Sequence, residues 1–347
     1  MSTVVWGAIP VVLLAGLVTI DHIPGTDISL TVPYAAQGPG PTFNTLGDVD
    51  GTPVVEIEGA DTDETSGNLN MTTVSVRTNM TLAQALGRWL LTDDTLIPID
   101  QVLPPDRSEE EIQESNQQAF VSSEAAATVA AMNYLDKPTV VVVHEVVDNA
   151  PSEGKVEAKD VLVALDGKEV SQPGTVQELV QAKKPGEEVE LTLRRGDEEV
   201  TETVTLGSHP DDEKLALLGI TMTSEPADDI SVAYNLNDVG GPSAGMIFSL
   251  AVIDKLSPGE LNGGRFVAGT GTISEDGTVG PIGGISHKVA AAEEEGAELF
   301  LAPSANCAEA LSADTGEMVV ARVDTLDDAI EAMDAFSAGK EVRTCAK

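Results

Sequence analysis

Hydrophobic positions along this chain fall into blocks whose period changes from stretch to stretch, and the changes divide it. Residues 4–20 form an uncharged run, VVWGAIPVVLLAGLVTI, ended by Asp21. Its 17 residues lie at the short end of what crosses a bilayer as a helix. A signal-peptide core is the competing assignment, but no basic segment precedes the run and no clean Ala-x-Ala site follows it. The expectation is a transmembrane anchor or uncleaved signal over 1–22. Short β-like runs follow at 30–34, 54–57 and 71–76, broken by Gly-Pro-Gly-Pro at 38–41 and Thr-Ser-Gly at 65–67. The spacing then turns helical. Leu82, Ala85, Leu86 and Trp89 predict a helix over 81–91, and Ser108 with Glu111 forms a capping box for a long helix reaching about Tyr134. Residues 23–137 are thus expected to be one region of small strands and a long helix.

The pattern changes again at Pro138. A continuous apolar strand at 139–143 leads to a turn at 149–154, a strand over 159–167 ending in Asp-Gly, and a short helix at 175–182. Alternating strands at 189–194 and 200–206 complete this β-rich unit, 138–206. Residues 207–214 are polar and turn-rich, a predicted linker. The unit 215–338 mixes strands at 217–222, 230–236, 266–272, 298–301 and 318–323 with helices at 242–256, 286–295 and 325–338. Residues 339–347 are a tail. The fold class is α+β, in the order transmembrane helix, mixed N-terminal region, β-rich unit and α+β unit.

Charge narrows the partners. There are 58 acidic and 19 basic residues, a net charge of −39, which argues against nucleic acid or anionic lipid as the main partner. Such an excess suits a salty or extracytoplasmic setting. No Lys or Arg occurs before Arg77, so the charge rule does not orient the N-terminal span. The two cysteines, Cys307 and Cys345, are too few for a thiolate metal framework, and no metal or cofactor is expected. In an oxidising compartment they would bridge the tail to the body; the alternative is two unpaired thiols.

Candidate chemistry centres on 238–246, DVGGPSAGM. Pro242 fits the first position of the helix, which puts Ser243 in the first turn, beside free backbone N–H groups able to hold an oxyanion. The plain alternative is a glycine-flanked serine that lets a helix pack closely. A nucleophilic serine needs a base. Gly-x-Ser-x-Gly also fits the elbow of α/β-hydrolases, which requires an acid and then a histidine downstream. Only His287 follows, with about 100 residues left for the fold, too few for that sheet. The other base is a neutral lysine. Between 215 and 338 the lysines are Lys255 and Lys288. Lys255 lies three turns along the serine helix and cannot reach its start. Lys288 enters an apolar helix, where desolvation lowers its pKa; taken alone, it could equally be a surface lysine near a helix start. His287 is then a bystander.

Two resemblances follow from the motifs. "ALDGKEV", "KKPGEEVELTLRRG" and "VTETVTL" resemble a protease-associated PDZ domain over 138–206. That implies capture of an extended C-terminal peptide, with a carboxylate loop at 135–138, although no glycine-rich version occurs there. "GGPSAG", "AGTGTISEDGTVGPIGGISHK" and "GAELFLAP" resemble the proteolytic domain of Lon peptidases, a Ser-Lys dyad family. Together with the N-terminal run, "QGPGPTFNTLG" and "SGNLNMTTVSV", the whole is similar to bacterial membrane-anchored, PDZ-containing Lon-like serine proteases. The resemblance implies Ser243 as nucleophile, Lys288 as general base, Thr270 orienting the lysine and the Ala244 backbone N–H as an oxyanion donor. It departs at Gly240, where the family commonly has an acid. It further implies a homo-oligomeric ring such as a hexamer, and a single-pass cell-membrane protein with its PDZ and protease units outside the cytoplasm. No Gly-x-x-x-x-Gly-Lys-[Ser/Thr] loop occurs, so ATP-independent cleavage of unfolded or membrane-exposed segments is expected. The rival from another class is a catalytically silent, membrane-tethered PDZ and Lon-like scaffold or adaptor.

Overall fold

Strands far apart in the chain share one sheet. The computed structural model describes residues 20–23, 25–26, 28–210, 212–227, 230–236 and 239–345. The run 4–20 therefore lies outside the described residues except for Ile20, and among the described residues no helix is long and apolar enough to cross a membrane. The N-terminal part supplies β1 (Tyr34–Asn44), β2 (Val55–Glu58) and β3 (Asn68–Arg77). It continues with α1 (Leu82–Leu91), β4 (Thr95–Pro98) and α2 (Glu109–Tyr134). Both helices begin in capping boxes, Thr81 with Gln84 and Ser108 with Glu111.

The β-rich unit follows with β5 (Thr139–Val146), β6 (Val161–Leu165), α3 (Pro173–Gln181), β7 (Glu188–Arg195) and β8 (Glu198–Thr205). It then extends beyond the predicted boundary. The expected linker is a hairpin of β9 (Gly207–His209) and β10 (Asp212–Leu217), in which Gly207 pairs with Leu217 and Ser208 with Ala216. Strand β11 (Ile220–Pro226) next pairs antiparallel with β5, giving the order β8-β7-β6-β5-β11. Backbone pairing absorbs the polar stretch, which side-chain polarity alone read as a connector.

The last part contains β12 (Ser231–Tyr234), α4 (Gly245–Leu256), β13 (Phe266–Gly269), β14 (Thr272–Ile273) and β15 (Val279–Gly280). After these come α5 (Ile285–Glu294), β16 (Leu299–Pro303), β17 (Val319–Val323) and α6 (Leu326–Ser337). The main sheet runs β17-β16-β13-β3-β1-β4. Strand β13 is parallel to both β3 and β16, β16 is parallel to β17, and β1 is antiparallel to β3 and β4. Strand β12 pairs with β2. The described residues of 34–134 and 231–345 therefore build one core, and the β-rich unit is inserted into it rather than threaded before it. This replaces the reading of 23–137 as a region of its own.

Helices cover both faces of the main sheet. On one face, Leu69 and Met71 pack with Phe120 and Ala127 of α2, Ile247, Phe248 and Leu250 of α4, and Met333 of α6. Phe248 meets Phe120 edge-on at 5.8 Å and Tyr234 at 4.6 Å. On the other face, Ile285 and Val289 of α5 pack on Ala268 and Phe300. The inserted unit has its own core around Val141, Leu162, Val176 and Leu191. Cys307 and Cys345 are bonded, with Cα atoms 5.2 Å apart. The segment before Cys345 lies along β17, where Arg322 N–H donates to the Arg343 carbonyl and Cys345 N–H to the Val320 carbonyl.

Candidate active site

Ser243 lies in a turn rather than in the first helical turn. Helix α4 begins at Gly245, with Ala244 as its N-cap. The carbonyls that an earlier helix would need are already engaged: Pro242 accepts from Ser123 Oγ at 3.0 Å, and Ser243 accepts from Gly271 N–H at 2.9 Å and Thr270 Oγ1 at 3.0 Å. Gly241, at φ 86°, donates its N–H to the Asn116 carbonyl at 2.9 Å. Helix α2 and the strand-to-strand link at 270–271 thus hold the serine loop from two sides. No local signal in the sequence marks Asn116, Phe120 or Ser123 as part of a site, because they act across more than a hundred residues of chain.

Gly240 packs against the same helix: a Cβ placed there would come within 3.1 Å of Asn116 Cβ, so a side chain at this position requires the turn or α2 to give by a few tenths of an ångström.

Lys288 approaches from the opposite side of the sheet edge, one turn into α5. Its Nζ lies 2.7 Å from Ser243 Oγ and 2.9 Å from Thr270 Oγ1. Thr270 is fully buried and, while accepting from the lysine, donates its own proton to the Ser243 carbonyl. One hydroxyl therefore sets the positions of both partners. Lys288 is 2% exposed, and burial lowers its pKa from 10.5 to about 7. That places an appreciable neutral fraction at ordinary pH. His287 is also buried, which lowers its pKa, but the structure does not bring it to Ser243. Lys255, near the far end of α4, is not in the site.

A cleft of about 340 Å³ opens at the pair. Ser243, Lys288 and the backbone of Ala244 lie along it, and its apolar wall comes from Phe43, Met71 and Phe120 of the N-terminal part. The cleft exists only because the two halves of the core close on each other. Ser123→Ala would leave the Pro242 carbonyl without its donor. A stability loss of about 1 kcal/mol is expected, with kcat falling several-fold and KM little changed. Steady-state kinetics with a thermal melt would check it, and an unchanged kcat would remove Ser123 from any positioning role.

A second concavity, about 330 Å³, lies between α3 and β11. Strand β11 ends the order of its sheet, so its outer edge is open beside the helix. Ile220 and Met222 point into the groove opposite Val176 and Val180, and its end is closed by Leu217, Leu218 and Gly219, the last at φ 78°. The groove's end therefore lies after the unit's other strands, not at 135–138, because the strand facing α3 is the last of the unit in chain order rather than the first.

These two sites match known domains. Residues 236–333 match the Lon protease (S16) C-terminal proteolytic domain, and residues 114–206 match a PDZ domain. Residues 236–333 thus define a serine peptidase domain of the Lon type. The chain thus carries a PDZ match together with a match to the Lon-type proteolytic domain, and the β-rich unit is set inside the core to which the latter belongs. It is 40% identical over 119 residues to a peroxisomal Lon protease homolog 2 of Caenorhabditis briggsae, covering 33% of this chain and 15% of that protein. It is 31% identical over 93 residues to a probable periplasmic serine endoprotease DegP-like of Ectopseudomonas mendocina (strain ymp), covering 26% and 20% respectively. The chain thus spans a fifth or less of the curated relatives it matches. Among solved structures, the PDZ domain of an SdrC-like protein from Listeria monocytogenes is similar at 23% identity and a TM-score of 0.22, covering 24% of this chain and 85% of that one.

Proposed function

We propose that this protein is an ATP-independent serine endopeptidase that cleaves flexible polypeptide segments through a Ser243–Lys288 dyad. The observation that carries the assignment is a lysine amine 2.7 Å from the serine hydroxyl and 2% exposed. Neutral Lys288 accepts the Ser243 proton as Oγ attacks a peptide carbonyl carbon. The C=O π pair moves onto oxygen, where the Ala244 backbone N–H at the head of α4 stabilises it. Collapse re-forms the carbonyl and breaks the C–N bond, and the leaving amine takes its proton from Lys288. A water molecule, deprotonated by the again neutral lysine, then hydrolyses the acyl-serine ester and regenerates the hydroxyl. Thr270 keeps the amine directed at Oγ throughout.

The groove between α3 and β11 would take the C-terminal segment of a substrate as an added strand, with its apolar side chains against Val176 and Met222. The run 4–20 would anchor the protein in the cell membrane, and the Cys307–Cys345 bridge supports a catalytic core on the oxidising side. By analogy with Lon-type domains the active form would be a homo-oligomeric ring. Wild-type protein should cut unfolded casein without nucleotide, whereas Ser243→Ala should leave casein whole. Equal fragmentation by the two would sink the assignment, and no cleavage by wild type on casein or on its native membrane fraction would favour the silent scaffold.

A further inference from the structure

Helix α1 is docked with its small residues inward and its large apolar residues outward. Ala85 is buried against Met80 and Ala36, while Leu82, Leu86, Trp89, Leu90 and Leu91 are exposed, Trp89 at 61% and Leu91 at 85%. Single exposed apolar side chains need no explanation, but four of these, Leu82, Leu86, Trp89 and Leu90, fall on one side of the helix, within about 100° of one another. In a chain with 58 acidic residues, α1 contains none. Its one charge, Arg88, is paired with Asp94 at 3.2 Å.

We infer that α1 lies in the surface of a lipid bilayer, its Leu and Trp side chains entering the headgroup–acyl boundary. Two further observations select this occupant. First, the segment that pairs with the start of α1, residues 31–32, follows closely on the apolar run 4–20 in the chain. Beyond that run, Leu30 N–H donates to the Asp21 carbonyl and His22 bridges to Ser29. Thr31 then bridges to Thr81, the N-cap of α1, and Val32 N–H donates to the Met80 carbonyl. A membrane-inserted run would hold α1 near the bilayer and raise its effective concentration there. Second, a face of leucines with a tryptophan and no acidic residue suits an interface of neutral lipid, where the rest of this acidic surface is merely solvated. Attachment should therefore need no anionic lipid. The consequence reaches the cleft. Ala36, beneath α1, and Pro41, at the cleft, lie on the same strand, about 17 Å apart at ~3.3 Å per residue, so the catalytic pair would work close to the membrane.

The two tryptophans, Trp6 in the run and Trp89 in α1, allow a test on the full chain. Trp6→Phe leaves Trp89 as reporter, and Trp89→Phe leaves Trp6. In phosphatidylcholine vesicles carrying bromine shallow in the acyl chains, Trp89 emission should fall by half or more. Adding Leu86→Asp and Leu90→Asp should abolish that quenching, while Trp6 remains quenched in the matching background and casein cleavage is unchanged. Unquenched Trp89 beside quenched Trp6 would overturn the inference while leaving the anchor standing. Unquenched Trp6 would overturn both. Trp89 shielding that ignores bromine overturns it too: growth with protein concentration would give the face to a second copy, and independence of concentration to residues 4–20.

Discussion

Lys288→Met should lower kcat by about 10⁴-fold or more while making the protein more stable, a combination that a structural lysine would not produce. Methionine keeps the length of the side chain and removes both the base and its desolvation cost. The pH dependence carries the sign. The buried amine titrates near 7 in the folded protein and near 10.5 when exposed, so between those values the unfolded chain binds more protons. Wild-type stability should accordingly rise with pH across that window and be lowest below pH 7. The advantage of Lys288→Met should then be greatest below pH 7, roughly 3–5 kcal/mol, and shrink toward pH 10.5. Urea titrations of both proteins at pH 6 and pH 10 measure this. In parallel, wild-type kcat/KM should climb with an apparent pKa of about 7, because only neutral lysine accepts the serine proton. Lys288→Arg should be inactive at every pH, since a guanidinium does not release its proton. A flat profile, or an active Arg variant, would remove Lys288 from the role of base.

Gly245→Val should damage both fold and catalysis. A Cβ at 245 would lie 2.7 Å from Ile273 Cγ2 and 2.7 Å from Ser123 Oγ, and 3.3 Å from the Ile273 backbone nitrogen. The first turn of α4 therefore sits against β14 and α2 with no room for a side chain. Valine must push it away, costing about 1–3 kcal/mol in overpacking. Because Ser243 is two residues upstream and tied to the same link at 270–271, a displacement of about 1 Å would also lower kcat by roughly 10²-fold. A melting curve and steady-state rates on casein would show it. Near-normal activity would mean that the close approach at Gly245 serves packing alone.

The expected capping box at Ser108 forms, and Thr81 and Thr325 open their helices in the same way. Such signals are local and read directly. The start of α4 was misplaced by three residues because Pro242 satisfies a helix's local preference while its carbonyl and that of Ser243 are claimed by Ser123, Thr270 and Gly271. Tertiary hydrogen bonds overrode the local preference. Ser243 and Lys288 stood out through composition: one serine framed by glycines, and one of only two lysines in an acidic unit, set among alanines.

Chain pattern was sufficient for the β-rich unit's main strands, for the helix that buries Lys288 and for two residues worth pairing, because apolar period and the cost of burying an amine are properties of short stretches. Long-range pairing alone revealed that residues 34–134 complete the catalytic sheet, with Asn68 beside Phe266 and Met71 beside Gly269. It likewise put α2 behind the serine loop, a peptide-sized groove at β11, and Lys288 within hydrogen-bonding distance of Ser243. Register between strands some two hundred residues apart depends on how whole layers pack, and no window of sequence encodes that.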